Sequence, residues 1–185
     1  MSRIELPVPE TMNPEQRKVY DRLIASRGKI GGPFRVALVR PEIAERMQQV
    51  GLLYKDGAKL TPKLRELLIL VTARFWNAKF EWWNHVATGL KAGLSEEVLM
   101  AFRDKRRPPF KQADEEAVYD FLIELYEQHK VSQASHDRIV SLLGTIGAVE
   151  LSTAAGYYSM AAFMLIAHDI GIPVSTISDL ETMPD

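Results

Sequence analysis

The feature that most restricts how this chain can fold is the stretch from Leu64 to Gly93, LRELLILVTARFWNAKFEWWNHVATGLKAG. A capping hydroxyl and a proline at the first helical position, Thr61-Pro62, launch it. The spacing predicts a helix to about Asn77, a corner at Asn77-Ala78, and a second helix to about Ala92 closed by Gly93 as a left-handed cap. This is the most apolar part of the chain, so its helices belong in the interior. It also carries Glu66, Glu81 and His85, three side chains able to move protons.

The remaining elements read as helices around that pair. Ile4 to Thr11, with two prolines, is expected to be an extended arm on the surface or on a neighbouring subunit. Asn13-Pro14 starts a helix that runs to about Arg27, and Gly28 to Phe34 reads as a turn-rich loop. This loop is no phosphate loop, because it lacks the Gly-Lys-Ser/Thr ending and a preceding strand. Pro41 opens a short helix, Ser95-Glu96-Glu97 caps another, and Asp114 to about Lys130 has amphipathic spacing at Val118, Phe121, Leu122 and Leu125. The last two helices are expected from Ser135 to about Gly147 and from Val149 to about Asp169. No strand pattern emerges, so the expected fold class is all-α. The second half loosely echoes the first, with Glu81-Trp82 matched by Glu150-Leu151, which suits a pseudo-duplicated helical core.

Composition removes several classes of function. A net charge of −1 over 185 residues provides no field to gather nucleic acid or an anionic membrane. The basic run Arg103 to Arg107 is short, contains an acid and reads as a solvated helix end. With no cysteine, disulfides, thiolate metal sites and thiol nucleophiles are excluded. The start MSRIELPVPE lacks the apolar core of a signal peptide and no run is expected to span a membrane, so the expected location is cytoplasmic.

At 100° per residue, Lys63, Glu66, Ala73, Arg74 and Asn77 share one face of the first central helix. On the second, Glu81 and His85 are one turn apart, and Ala78, Thr88, Gly89 and Ala92 complete their face. Small residues there describe the end of a groove or the close approach of another helix. Histidine exchanges protons near neutral pH, and a neighbouring carboxylate fixes its tautomer and stabilises its cation. The same spacing also describes an ordinary ion pair on a solvated face, and spacing alone leaves both readings open. No further His or acid completes a metal-ligand set, so no metal is expected. Ser159 lies outside any Gly-x-Ser-x-Gly pattern.

On the last helix, Glu150, Ala154, Tyr157, Ala161, Met164 and His168 fall on one side, a stripe that can line a cavity or an interface. His168 suits a helix C-terminus through the dipole, and His129 and His136 belong to polar surroundings. Of Trp76, Trp82 and Trp83, Trp82 is the one expected to face the groove.

Gly-Pro-Phe34, Arg65-Glu66-Leu67, Ala73-Arg74-x-Trp76, Glu81-Trp82-x-x-His85, Ala92-Gly93-Leu94, Val149-Glu-Leu and Gly156-Tyr-Tyr158 together resemble the carboxymuconolactone decarboxylase and AhpD-like family. The resemblance covers about Gly28 to Pro173. It implies an AhpD-like helical domain over 28–173, preceded by an arm and helix (1–27) and followed by a tail (174–185). It also implies a trimer or hexamer with helices packing across subunits. In the family's peroxidase branch a glutamate and a histidine relay protons to two cysteines. Here the relay positions are Glu66 and His85, while the cysteine positions hold Ala78 and Glu81. A carboxylate cannot attack a peroxide and then form a disulfide, so a peroxiredoxin-type activity is disfavoured. The resemblance then implies a cofactor-free decarboxylase or lactone-processing lyase acting on a small carboxylate or lactone, or a non-catalytic binder of such molecules. His85, Glu81 and Glu66 are the catalytic candidates, and Arg74, Trp82 and Tyr157 the substrate-binding ones.

Overall fold

A computed structural model describes residues 2–55, 57–173 and 178–185; four residues of the expected tail, 174–177, lie outside the described residues. Among the described residues the chain is all-α. The helices are α1 (Pro14–Arg27), α2 (Gly32–Ala37), α3 (Pro41–Leu52), α4 (Pro62–Phe75), α5 (Lys79–Lys91), α6 (Glu96–Arg103), α7 (Ala113–Gln128) and α8 (Gln133–Ala167).

The predicted capping signals operate as local chemistry requires. Asn13 and Gln16 form a reciprocal capping box, and the Thr61 and Ser95 hydroxyls accept from the Leu64 and Val98 amides. At the end of α5, Gly93 has φ 100°; its amide donates to the Leu90 carbonyl and that of Leu94 to Gly89. α4 ends by the same pattern, with the Asn77 amide on Arg74 and that of Ala78 on Ala73. Here Asn77 itself takes the left-handed conformation, φ 56°, which asparagine tolerates better than most side chains.

α4 is the axis of the fold. Every residue from Glu66 to Arg74 is buried, and the helix packs against α5, α6, α7 and α8. A helix apolar on nearly all sides can be stable only in such a position. The close approach of α5 depends on Gly89, where a Cβ would stand 2.9 Å from Leu70 Cδ1. The small face of α5 is therefore at this point a helix-packing surface rather than a groove.

Several expectations need correction. The stretch Gly28 to Phe34 is only partly loop, because Pro33 in the first turn starts the short helix α2. The final helix begins at the Ser132 cap, not at Ser135. No corner occurs at 147–149; α8 instead breaks at Gly144, whose φ of 74° and ψ of 172° suit glycine. Glu150 thus lies within a helix and does not open one. α8 is also long and apolar enough by length and composition to cross a membrane, contrary to the expectation that no run would be. Its inner residues Leu151, Ala154, Ala155, Ala162 and Leu165 belong to the buried core.

The two ends of the chain lie against the helices. The Arg3 amide and side chain donate to the carbonyls of His168 and Ala167 at the end of α8. Trp82 Nε1 donates to the Leu180 carbonyl at 3.0 Å, and Met183 is buried.

Candidate functional site

The α4–α5 hairpin brings together the three proton-active residues singled out in the sequence. His85 Nδ1 lies 2.7 Å from Glu66 Oε2, across the two helices, and His85 Nε2 lies 3.4 Å from Glu81 Oε1, one turn back on α5. Both carboxylates are buried, and the His85 side chain keeps 18% of its surface accessible. This rules out the solvated-pair reading. Glu81 sits in the first turn of α5, where no side chain caps the helix and the dipole favours a carboxylate.

The electrostatics favour the imidazolium. Burial works against the charge but is outweighed by the hydrogen bonds and negative charge of Glu66 and Glu81, so the His85 pKa rises to about 10. As a cation, His85 donates from Nδ1 to Glu66, and its Nε2 makes a longer ion-pair contact with Glu81. The Glu66 contact is short, while the Glu81 contact is long enough to be exchanged for a ligand. Glu81 Oε2 is buried without a hydrogen-bond partner, so this carboxylate is incompletely satisfied within the fold.

These residues border a cavity of about 220 Å³. Its wall takes Gly31, Pro33 and Phe34 from the α2 region, Met47 and Gly51 from α3, Arg65 and Glu66 from α4, Glu81, Asn84 and His85 from α5, and Tyr157, Tyr158 and Ala161 from α8. Arg27, Lys29 and Lys55 add positive charge. The Arg27 guanidinium lies 4.3 Å from the Phe34 ring centroid and donates to Gln48 Oε1. Burial raises the Tyr157 pKa to about 12 and that of Tyr158 further, so both phenols stay protonated as donors. Tyr158 meets the His85 ring edge-on, with centroids 6.4 Å apart.

Two expected substrate contacts lie elsewhere. Trp82 is fully buried and faces the core and the C-terminal segment instead of the cavity. Arg74 borders a different cavity of about 300 Å³ with Phe102, Lys105, Arg106, Tyr119 and Glu127. Its Nε donates to the Arg103 carbonyl at 2.9 Å and its guanidinium to Asn77 Oδ1 at 3.2 Å, so it closes the ends of α6 and α4. Burial lowers its pKa. Ser159 accepts from Trp76 Nε1 at 2.9 Å, a structural bond, and Glu150 accepts from the Lys59 and Leu60 amides. Among the described residues no group of three or more His, Asp or Glu is arranged to hold a metal ion.

Sequence reasoning left the role of Tyr158 open and missed Asn84 and the cations at 27, 29, 55 and 65. Asn84 and Arg65 are chain neighbours of His85 and Glu66, a weak signal that was available. The other cations come from segments that only the tertiary fold joins. No family model matches this sequence, and a search of curated proteins finds no relative. The functional reading therefore rests on the geometry of the cavity.

Proposed function

We propose that the His85 cavity is the active site of a cofactor-free acid–base enzyme that decarboxylates, or opens, a small carboxylated or lactone metabolite. One observation carries this reading: a half-buried imidazole held between two buried carboxylates, one of them incompletely hydrogen-bonded, on the wall of a cavity of metabolite size. The resemblance to carboxymuconolactone decarboxylases agrees with it. The anionic end of the substrate would meet Arg27, Lys29, Lys55 or Arg65, which take the role that the sequence suggested for Arg74.

In a decarboxylation the bond to the leaving carboxylate breaks and its electron pair enters the adjacent carbonyl as an enolate. Carbon dioxide departs, and the enolate carbon takes the proton of His85 Nε2. The neutral imidazole then recovers a proton from solvent. Glu66 keeps hold of Nδ1 throughout and maintains the ring's orientation. The positive charge of His85 and the phenols of Tyr157 and Tyr158 favour the developing oxyanion.

The elevated pKa of His85 also favours a second reading, in which the cavity binds an anion without turning it over, because a cation so firmly protonated is a reluctant donor. A panel of small lactones and carboxylated lactones separates the two by following carbon dioxide release and ring opening. Turnover that falls by at least about 100-fold in His85→Gln supports the enzyme. Thermal stabilisation by the same compounds without any turnover supports the binder. Absence of both responses removes this cavity from consideration.

A further inference from the structure

The outer face of α8 carries a second pattern, independent of the cavity chemistry. After the break at Gly144, Ile146, Val149, Thr153, Gly156, Met160, Phe163 and Ala167 follow alternating steps of three and four, and all are exposed. Exposure reaches 63% at Ile146, 57% at Val149 and 47% at Phe163. This is the 3.5-residue repeat of a helix that packs against another helix. From Leu151 to Ala167 the sequence contains no charged residue to keep such a face in water. The two hydroxyls beside the seam are already satisfied, since Ser152 and Thr153 both donate to the Val149 carbonyl. Covering them therefore strands no donor.

α3 extends the surface. Ile43, Val50 and Leu53 stand exposed across a groove of about 1060 Å³ from Val149, Gly156 and Met160. The seven large apolar side chains of the seam, of α3 and of its C-cap residue Leu53 expose on the order of 700 Å², beyond the patch typical of a monomer and close to one partner's share of a stable interface. Charges at the rim are mixed, Arg40 and Arg46 with Glu42 and Glu150, which gives no preference for an anionic lipid surface. A membrane-spanning role does not fit either, because the opposite face of α8 is core.

We infer that this seam pairs with that of a second copy of the chain, antiparallel about a two-fold axis between Ala154 and Ala155. The sequence is self-complementary in that register. Ile146 faces the partner's Phe163, Val149 faces the partner's Met160, and Thr153 faces the partner's Gly156. Large residues meet at both ends and small ones meet at the centre, where Gly156 has nothing within 4 Å of its missing Cβ. The pairing is isologous, so it makes a dimer or a higher assembly that contains two-folds, such as a hexamer, but not a cyclic trimer. Tyr157 borders both the groove and the His85 cavity, so the second copy closes the outer side of that wall.

Sedimentation velocity on the full chain tests this with Val149→Glu, Met160→Lys and the double variant, each checked for unchanged helicity by circular dichroism. Wild type is expected at an even multiple of the chain mass. Each single variant should weaken the two-fold association by two orders of magnitude or more. The double variant should recover it, because each introduced carboxylate then faces an introduced ammonium of the other copy. Four results overturn the inference: a monomeric wild type at tens of micromolar, a monomer that cosediments with phosphatidylcholine–phosphatidylserine vesicles, single variants with unaltered mass, or a double variant that stays dissociated. If the single variants fail to fold, Gly156→Gln replaces them; it should block the central approach, and unaltered mass in that variant also overturns the inference.

Discussion

Two cavities border α4, and the difference between them lies in where the buried charges send their hydrogen bonds. At the Arg74 cavity the guanidinium donates to a main-chain carbonyl and to Asn77 and thereby closes two helix ends. At the His85 cavity the charges face one another, one contact is 3.4 Å long, and Glu81 Oε2 has no partner. Burial acts against charge in both. It lowers the pKa at Arg74, but at His85 two carboxylates more than reverse it. A buried charge points to chemistry where it pairs with other titratable groups on a cavity wall, not where it ties down helix ends.

The largest test of this contrast is the pH dependence of stability. Folding raises the His85 pKa from 6.5 to about 10, so between those values the native state holds a proton that the unfolded chain has released. The contribution is complete below pH 6.5 and is lost as pH rises towards 10, with a slope of up to about 1.4 kcal/mol per unit. Urea unfolding from pH 6 to 10 should show wild type losing stability steadily relative to His85→Gln. Parallel curves would mean that His85 is not held charged.

Arg74→Ala should cost about 2–3 kcal/mol, from two lost hydrogen bonds and lost packing, while leaving the pH dependence assigned to His85 in place. If it instead abolished ligand binding or turnover with stability intact, the two cavities would have exchanged roles. Gly51→Ala gives the smallest effect. Its Cβ would stand 2.5 Å from the Tyr157 hydroxyl, and the resulting strain is partly offset by the helix preference of alanine, for a net loss of about 1 kcal/mol. The displaced phenol should narrow the His85 cavity, so ligand-induced thermal stabilisation should shrink as well. Unchanged stabilisation would take Tyr157 off the functional wall.

Much of this was legible in the chain itself, because capping and periodicity are local. Asn13-Pro14, Thr61-Pro62, Ser95 and Gly93 mark helix ends that the structure contains, and one-turn spacing correctly joined Glu81 to His85. Arg74 misled because angular projection ignores distance along the axis. It shares a face with Glu66, but eight residues separate them by about 12 Å, enough to reach another cavity. Trp82 follows Glu81 directly and so points about 100° away from it, into the core. The break at Gly144 rather than at 147–149 followed from one residue's freedom to adopt positive φ, which apolar periodicity cannot locate. Arg27, Lys29 and Lys55 reach the cavity from separate segments, so no local pattern could have grouped them.

The protonation of His85 is open to direct observation by nitrogen-15 NMR of the imidazole ring, titrated from pH 5 to 11. Both ring nitrogens should report imidazolium throughout the range from pH 5 to 8, with the transition centred near 10 and moved down by Glu66→Gln. A transition near the ordinary 6.5 that Glu66→Gln leaves in place would contradict the carboxylate-clamped cation on which the proposed acid–base role depends.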